Sequence, residues 1–166
     1  MRIADTISNR GNVPQEFELL YHANYGRPLL DEGAQFLAPV SRVTPMNAHA
    51  AQSVKEWARY AGPTPAFVEQ VYCLRPIAGP DGQTLIALRN KAGDRAVSMA
   101  YSVKELPYLT QWKNTAAEAE GYVTGLEPGV NFPNPRRIER KLGRVPKLAA
   151  GATYTAAIDY AIHTDA

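Results

Sequence analysis

A chain of 166 residues, 45% hydrophobic and 20% charged, is one domain in length and has enough apolar material to bury a core. Its formal net charge of +2 excludes a strongly polyanion-directed surface, and its single cysteine, Cys73, excludes an internal disulfide and a cysteine zinc site. Arg136, Arg137, Arg140, Lys141 and Arg144 cluster, but Glu139 interrupts them and no aromatic platform accompanies them, so neither nucleic acid nor, without a long apolar run, a membrane is the expected partner. Met1-Arg2-Ile3-Ala4-Asp5 does not form a signal peptide, and a cytoplasmic protein is the expectation.

In chain order, Arg2 to Ser8 alternates weakly, like a strand entered in its middle, and Asn9-Arg10-Gly11-Asn12 is a strong turn signal. Glu16 to Tyr25 reads as one strand, on which His22 and Asn24, two residues apart, share a face. Gly26-Arg27-Pro28 breaks it, and Gln35 to Met46 is a further extended stretch. Ala48 to Tyr60 is the one predicted helix, with Ala51, Val54, Trp57 and Ala58 at helical spacing, closed by Gly62-Pro63-Thr64-Pro65. Phe67 to Leu74 reads as a strand carrying Glu69, with Cys73 as a core thiol. Thr84 to Leu88 and Ala96 to Val103 form a hairpin around Asn90-Lys91-Ala92-Gly93-Asp94, and Leu109 to Lys113 is a further strand. The last strand runs from Tyr154 to Ile162. Many short strands, frequent Gly and Pro and one helix indicate a mainly β, antiparallel protein.

The stretch from Gly121 to Arg136 is the chemical focus. Tyr122, Val123 and Leu126 read as a buried strand. Glu127 is expected where that strand stops, because Pro128 and Gly129 disfavour a continued ladder and Asn131-Phe132-Pro133-Asn134-Pro135 continues irregularly. The three histidines, His22, His49 and His163, have no metal-ligand spacing, and no phosphate loop, dinucleotide fingerprint or serine nucleophile elbow is present. What remains is His22 with the carboxylates Glu69 and Glu127, the minimum set for general acid–base catalysis near neutral pH. The residues alone favour a core histidine bonded to a backbone group and two surface carboxylates.

Leu20-Tyr21-His22-Ala23-Asn24-Tyr25-Gly26-Arg27-Pro28, Thr110-Gln111-Trp112-Lys113-Asn114, Gly125-Leu126-Glu127-Pro128-Gly129 with Phe132-Pro133-Asn134, and Leu148 to Tyr154 together resemble a family of aldose 1-epimerase-like proteins catalogued as a domain of unknown function. The resemblance extends, at a greater distance, to galactose mutarotases. It implies a β-supersandwich of antiparallel sheets with a sugar groove on a concave face, here as a single domain over residues 1–166 that corresponds to the C-terminal portion of a mutarotase. It implies Glu127 as the general base and His22 as the general acid of sugar ring opening, with no metal or organic cofactor. Asn24, Glu69, Gln111 and Asn134 are then expected to bind sugar hydroxyls, Trp112 to stack on a pyranose face, and Arg136 to grip an anionic group if the sugar carries one. Glu69 stands where mutarotases have an aspartate. The implied partner is a small sugar, with either a homo-oligomer or a separately supplied first half completing the fold. Half a supersandwich is expected to expose strand edges and one apolar face.

Overall fold

The computed structural model describes residues 1–164. Twelve strands and two short α-helices alternate along the chain: β1 (Arg2–Ser8), β2 (Gln15–Glu16), β3 (Ala23–Tyr25), β4 (Gln35–Leu37), β5 (Val40–Pro45), α1 (Ala48–Gln52), β6 (Gln70–Pro76), β7 (Gln83–Arg89), β8 (Arg95–Ser102), β9 (Tyr108–Asn114), β10 (Val123–Gly129), α2 (Arg136–Lys141), β11 (Lys147–Leu148) and β12 (Thr153–Thr164). Ten of the strands form two five-stranded antiparallel sheets, ordered β1-β12-β8-β7-β4 and β3-β10-β9-β6-β5, while β2 and β11 pair as a separate ribbon. The mainly β, antiparallel, sandwich-type fold expected from the sequence is therefore present.

Alternation along the strands builds the core. On β6, β9 and β10 the cross-strand set Tyr72, Gln111 and Leu126 points inward, and Leu74 faces Leu109 on the same side. Ile86, Leu88, Met99, Tyr101, Ala156 and Ile158 face them from the other sheet, and Leu30, Phe36, Ala50 and Tyr60 fill the layer between. Residues one position along each strand of the second sheet point away from this layer, and that outer face carries His22, Glu127 and Trp112.

Several expected elements differ. The extended stretch from Glu16 to Tyr25 is not one strand: only Gln15–Glu16 and Ala23–Tyr25 are paired, with a single bridge from Leu20 to Gly129 between them. Gln35 to Met46 divides into β4 and β5, which belong to different sheets. The long helix expected from Ala48 to Tyr60 ends at Gln52 and continues as a 3-10 turn, Val54–Glu56; its Asn47 cap accepts from the Ala50 N–H at 2.8 Å. The single expected helix is two, because α2 forms within the basic segment that the sequence suggested as a loop. Finally, β10 does not stop before Glu127. It continues to Gly129, with Pro128 opposite Leu109 and its carbonyl accepting from the Tyr21 N–H at 2.9 Å.

Candidate active site

The central strands β10 and β9 set the outer face by register. Glu127 lies opposite Thr110, and Gly125 lies opposite both Trp112 on β9 and Asn24 on β3. Because alternate residues share a face, Asn24, Gly125, Glu127, Thr110 and Trp112 all project to the same side. The short β3 edge carries His22 to this side as well. Its Nε2 lies 3.0 Å from Glu127 Oε1, although the two are 105 positions apart in the chain. The pair is asymmetric: the imidazole is 47% exposed and the carboxylate 4%. Oε1 has no aligned hydrogen-bond donor and no solvent, and neighbouring Thr110 Oγ1 likewise lacks a partner.

Burial pushes the Glu127 carboxyl above the ordinary carboxylate range, and the adjacent His22 offsets only part of that rise. A carboxylate so placed is a stronger base than a solvated one. Space for it depends on Gly125, where a Cβ would stand 2.5 Å from Glu127 Oε1 and 3.1 Å from His22 Cε1. Gly125 thus shapes the site, a role that strand pairing shows and residue type alone does not.

Trp112 completes the cluster. Its indole meets the His22 ring edge-on, centroids 5.9 Å apart at 65°. Its Nε1–H donates to Glu69 Oε2 at 2.7 Å. Glu69 therefore orients the indole with one carboxylate oxygen, a contact its expected role in binding sugar did not include. Asn24 is exposed beside the pair.

The other expected contacts fall elsewhere. Gln111 is fully buried on the inward face, where Nε2 donates to the Tyr60 hydroxyl at 2.8 Å, so it cannot reach a ligand on the outer face. The reason is the pleat: Gln111 and Trp112 are consecutive on β9 and must point oppositely. Asn134 donates to Glu139 Oε1 at 2.7 Å and borders a neighbouring cavity. Arg136 is committed to Glu18, which also accepts from Asn131 Nδ2 at 2.9 Å. Cys73, buried on β6 in the row of Glu127 and Thr110, has its thiol pushed up to about 11 by burial, so it is not a ready nucleophile. Among the described residues, no group of three or more His, Cys, Asp or Glu is placed to hold a metal ion, and no helix is long and apolar enough to cross a membrane.

A two-sheet antiparallel sandwich with this outer face is the fold of the galactose mutarotase-like proteins. The chain superposes with TM-score 0.97 and 42% identity on a protein from Klebsiella pneumoniae subsp. pneumoniae described as a candidate aldose 1-epimerase, covering 99% of this chain and 43% of that one. A galactose mutarotase-like protein from Clostridium acetobutylicum matches with TM-score 0.68 and 13% identity over 98% of this chain and 52% of that one. The Slr1438 protein from Synechocystis matches with TM-score 0.66 and 17% identity over 99% and 50%. The last two likenesses concern the fold alone. The chain spans about half the length, or less, of these structures. The chain belongs to the family described as Domain of unknown function (DUF4432), which matches residues 1–162. No curated protein matches it.

Proposed function

We propose that this protein is an aldose 1-epimerase that interconverts the anomers of a sugar by acid–base ring opening. The observation that carries this reading is the pair itself: a buried carboxylate oxygen without a donor, 3.0 Å from an exposed imidazole, beside an indole of ring size. The anomeric hydroxyl and the ring oxygen sit on the same carbon of the sugar. An acid and a base that are close neighbours on one wall can therefore serve both.

In the forward direction, the Glu127 carboxylate takes the proton of the anomeric hydroxyl while the His22 Nε2–H gives a proton to the ring oxygen. The bond between the anomeric carbon and the ring oxygen breaks, leaving an open-chain aldehyde. Rotation about the adjacent C–C bond turns the other carbonyl face toward the ring hydroxyl. On closure the attacking hydroxyl gives its proton back to His22, and Glu127 gives its proton to the carbonyl oxygen, which becomes the new anomeric hydroxyl. Trp112 stacks on the pyranose, Asn24 and the free oxygen of Glu69 take hydroxyls, and Asn134 borders the site. Gln111 and Arg136 have no part in this reading. By the order of its His22, Glu69, Glu127 and Leu148–Tyr154 segments, the chain corresponds to the C-terminal portion of its longer relatives, and its composition suits the cytoplasm.

The exposed Trp112–Glu69 pair also suits a sugar-binding domain without catalysis. Polarimetry of freshly dissolved aldose anomers, paired with calorimetry of the same sugars, separates the two. Faster mutarotation supports the epimerase; sugar binding that Trp112→Ala abolishes, with no acceleration of any anomer, supports the binding domain.

A further inference from the structure

Next to the acid–base pair, on the same outer face, lies a cavity of about 310 Å³ whose only charged lining groups are arginines: Arg42, Arg75 and Arg144. Arg144 is neutralised, its Nη2 donating to buried Glu139 at 2.6 Å. Arg42 and Arg75 are not. They stand directly opposite each other on β5 and β6, and neither side chain makes a hydrogen bond or ion pair among the described residues. Like charges facing each other across a strand pair cost stability, and no carboxylate lines this cavity to offset that cost.

The Arg75 guanidinium is held in place rather than loose. It lies over the Tyr108 ring at 4.1 Å, and Tyr108 packs edge-on against Phe132 with centroids 4.8 Å apart. Stacking occupies one face of the guanidinium and leaves its N–H donors free. Tyr108 is the diagonal neighbour of Glu127 across β9 and β10, roughly 7–8 Å away. That offset suits a group at the far end of a hexose whose anomeric carbon sits on Glu127. Thr44 and Asn134 add neutral polar groups around the cavity.

We propose that Arg75 and Arg42 form an anion subsite, and that the preferred aldose carries a phosphate monoester or a carboxylate at the end remote from its anomeric carbon. The assignment deepens the epimerase reading and rests on it for the position of the sugar, but its binding component can be measured alone. It also moves the anionic grip expected of Arg136, on helix α2, to strands β5 and β6.

The test has two arms. In the first, anomer exchange by NMR is compared for glucose, glucose 6-phosphate and glucuronate. The expected result is a kcat/KM at least about tenfold higher for one of the anionic sugars, the one favoured telling phosphate from carboxylate, and loss of that preference in the Arg75→Gln and Arg42→Gln double variant. Equal turnover of neutral and anionic sugars overturns the subsite while leaving the epimerase intact. In the second arm, calorimetry measures binding of glucose 6-phosphate and glucuronate to Glu127→Gln, which needs no turnover. Salt-sensitive binding of either, weakened about tenfold or more by the added arginine changes, supports the subsite even if no sugar is epimerised. Binding no tighter than that of glucose overturns it.

Discussion

At the scale of single residues, the proposed chemistry depends on a carboxylate removed from water. Because burial raises the Glu127 pKa, the acid limb of kcat/KM against pH should lie above the ordinary carboxylate range, provided this group is the base. A limb at the unperturbed value of a solvated glutamate would count against that role. The stability consequence has the opposite sign from that of a salt-bridged acid. With the folded pKa above the unfolded one, the contribution of Glu127 is fully present below the unfolded pKa and is lost as pH rises through the folded value. Glu127→Gln should therefore melt at or above the wild-type temperature at neutral pH, a comparison that calorimetry makes directly. Gly125→Ala should do the reverse of a stability mutation. By driving a methyl against Oε1 at 2.5 Å, it should cut turnover about tenfold or more while circular dichroism stays native. His22, Asn24, Glu127 and Trp112 were legible as candidates because their types carry chemistry and their segments resemble known ones. Gln111 falls outside the site for a reason its position already carries: strand neighbours cannot share a face, and Trp112 takes the outer one. Arg75 went unread because a lone arginine in an apolar strand has no signal until register sets it against Arg42 and Tyr108.

At the scale of elements, the strands were easier to read than the helices. The hairpin β7–β8, strand β9 and the long β12 form close to the bounds that their residues suggest. The helical spacing from Ala48 to Tyr60 was misleading, because after one turn the chain is taken up by contacts to β4: Phe36 N–H donates to Ala58 O at 2.8 Å and Tyr60 N–H to Ala34 O at 3.0 Å. Helix α2 escaped notice because most of its residues are charged and exposed, and tertiary anchoring replaces an apolar face. That anchor is Glu139, fully buried, which accepts from Arg144, Asn134 and the Phe132 N–H. Burial pushes its carboxyl up, but these donors together outweigh that and hold it below the ordinary range. Stability from Glu139 is thus present above the unfolded pKa and lost as pH falls through the folded value. Glu139→Ala, which strands a largely buried Arg144, should cost about 3 kcal/mol in chemical denaturation. A loss below about 0.5 kcal/mol would show that the loop is anchored otherwise. Tyr60→Phe should cost about 1–3 kcal/mol by the same assay, since it removes the acceptor of Gln111 and the partner of Thr124 inside the core.

At the scale of the whole molecule, the two sheets part along one side. There an open cleft of about 810 Å³ lies between edge strand β3 and the β1–β12 side, lined by Ile3, Tyr25, Val97, Tyr160 and Ile162. Ile162 remains 85% exposed although it continues the inward series of Ala156, Ile158 and Tyr160. The cleft is mostly apolar, and His22 sits on its rim. The same edge that leaves the cleft open therefore carries His22, the proposed acid. Ile162→Ser should lower the binding of an apolar fluorescent dye while changing stability by less than about 0.5 kcal/mol. The central claim is that Glu127 and His22 open a sugar ring together, and polarimetry of Glu127→Gln beside the wild-type protein, on the sugar it turns over fastest, addresses it most directly. The account predicts acceleration by the wild type and a loss of roughly a hundredfold or more in the variant. Equal acceleration by both proteins would contradict it.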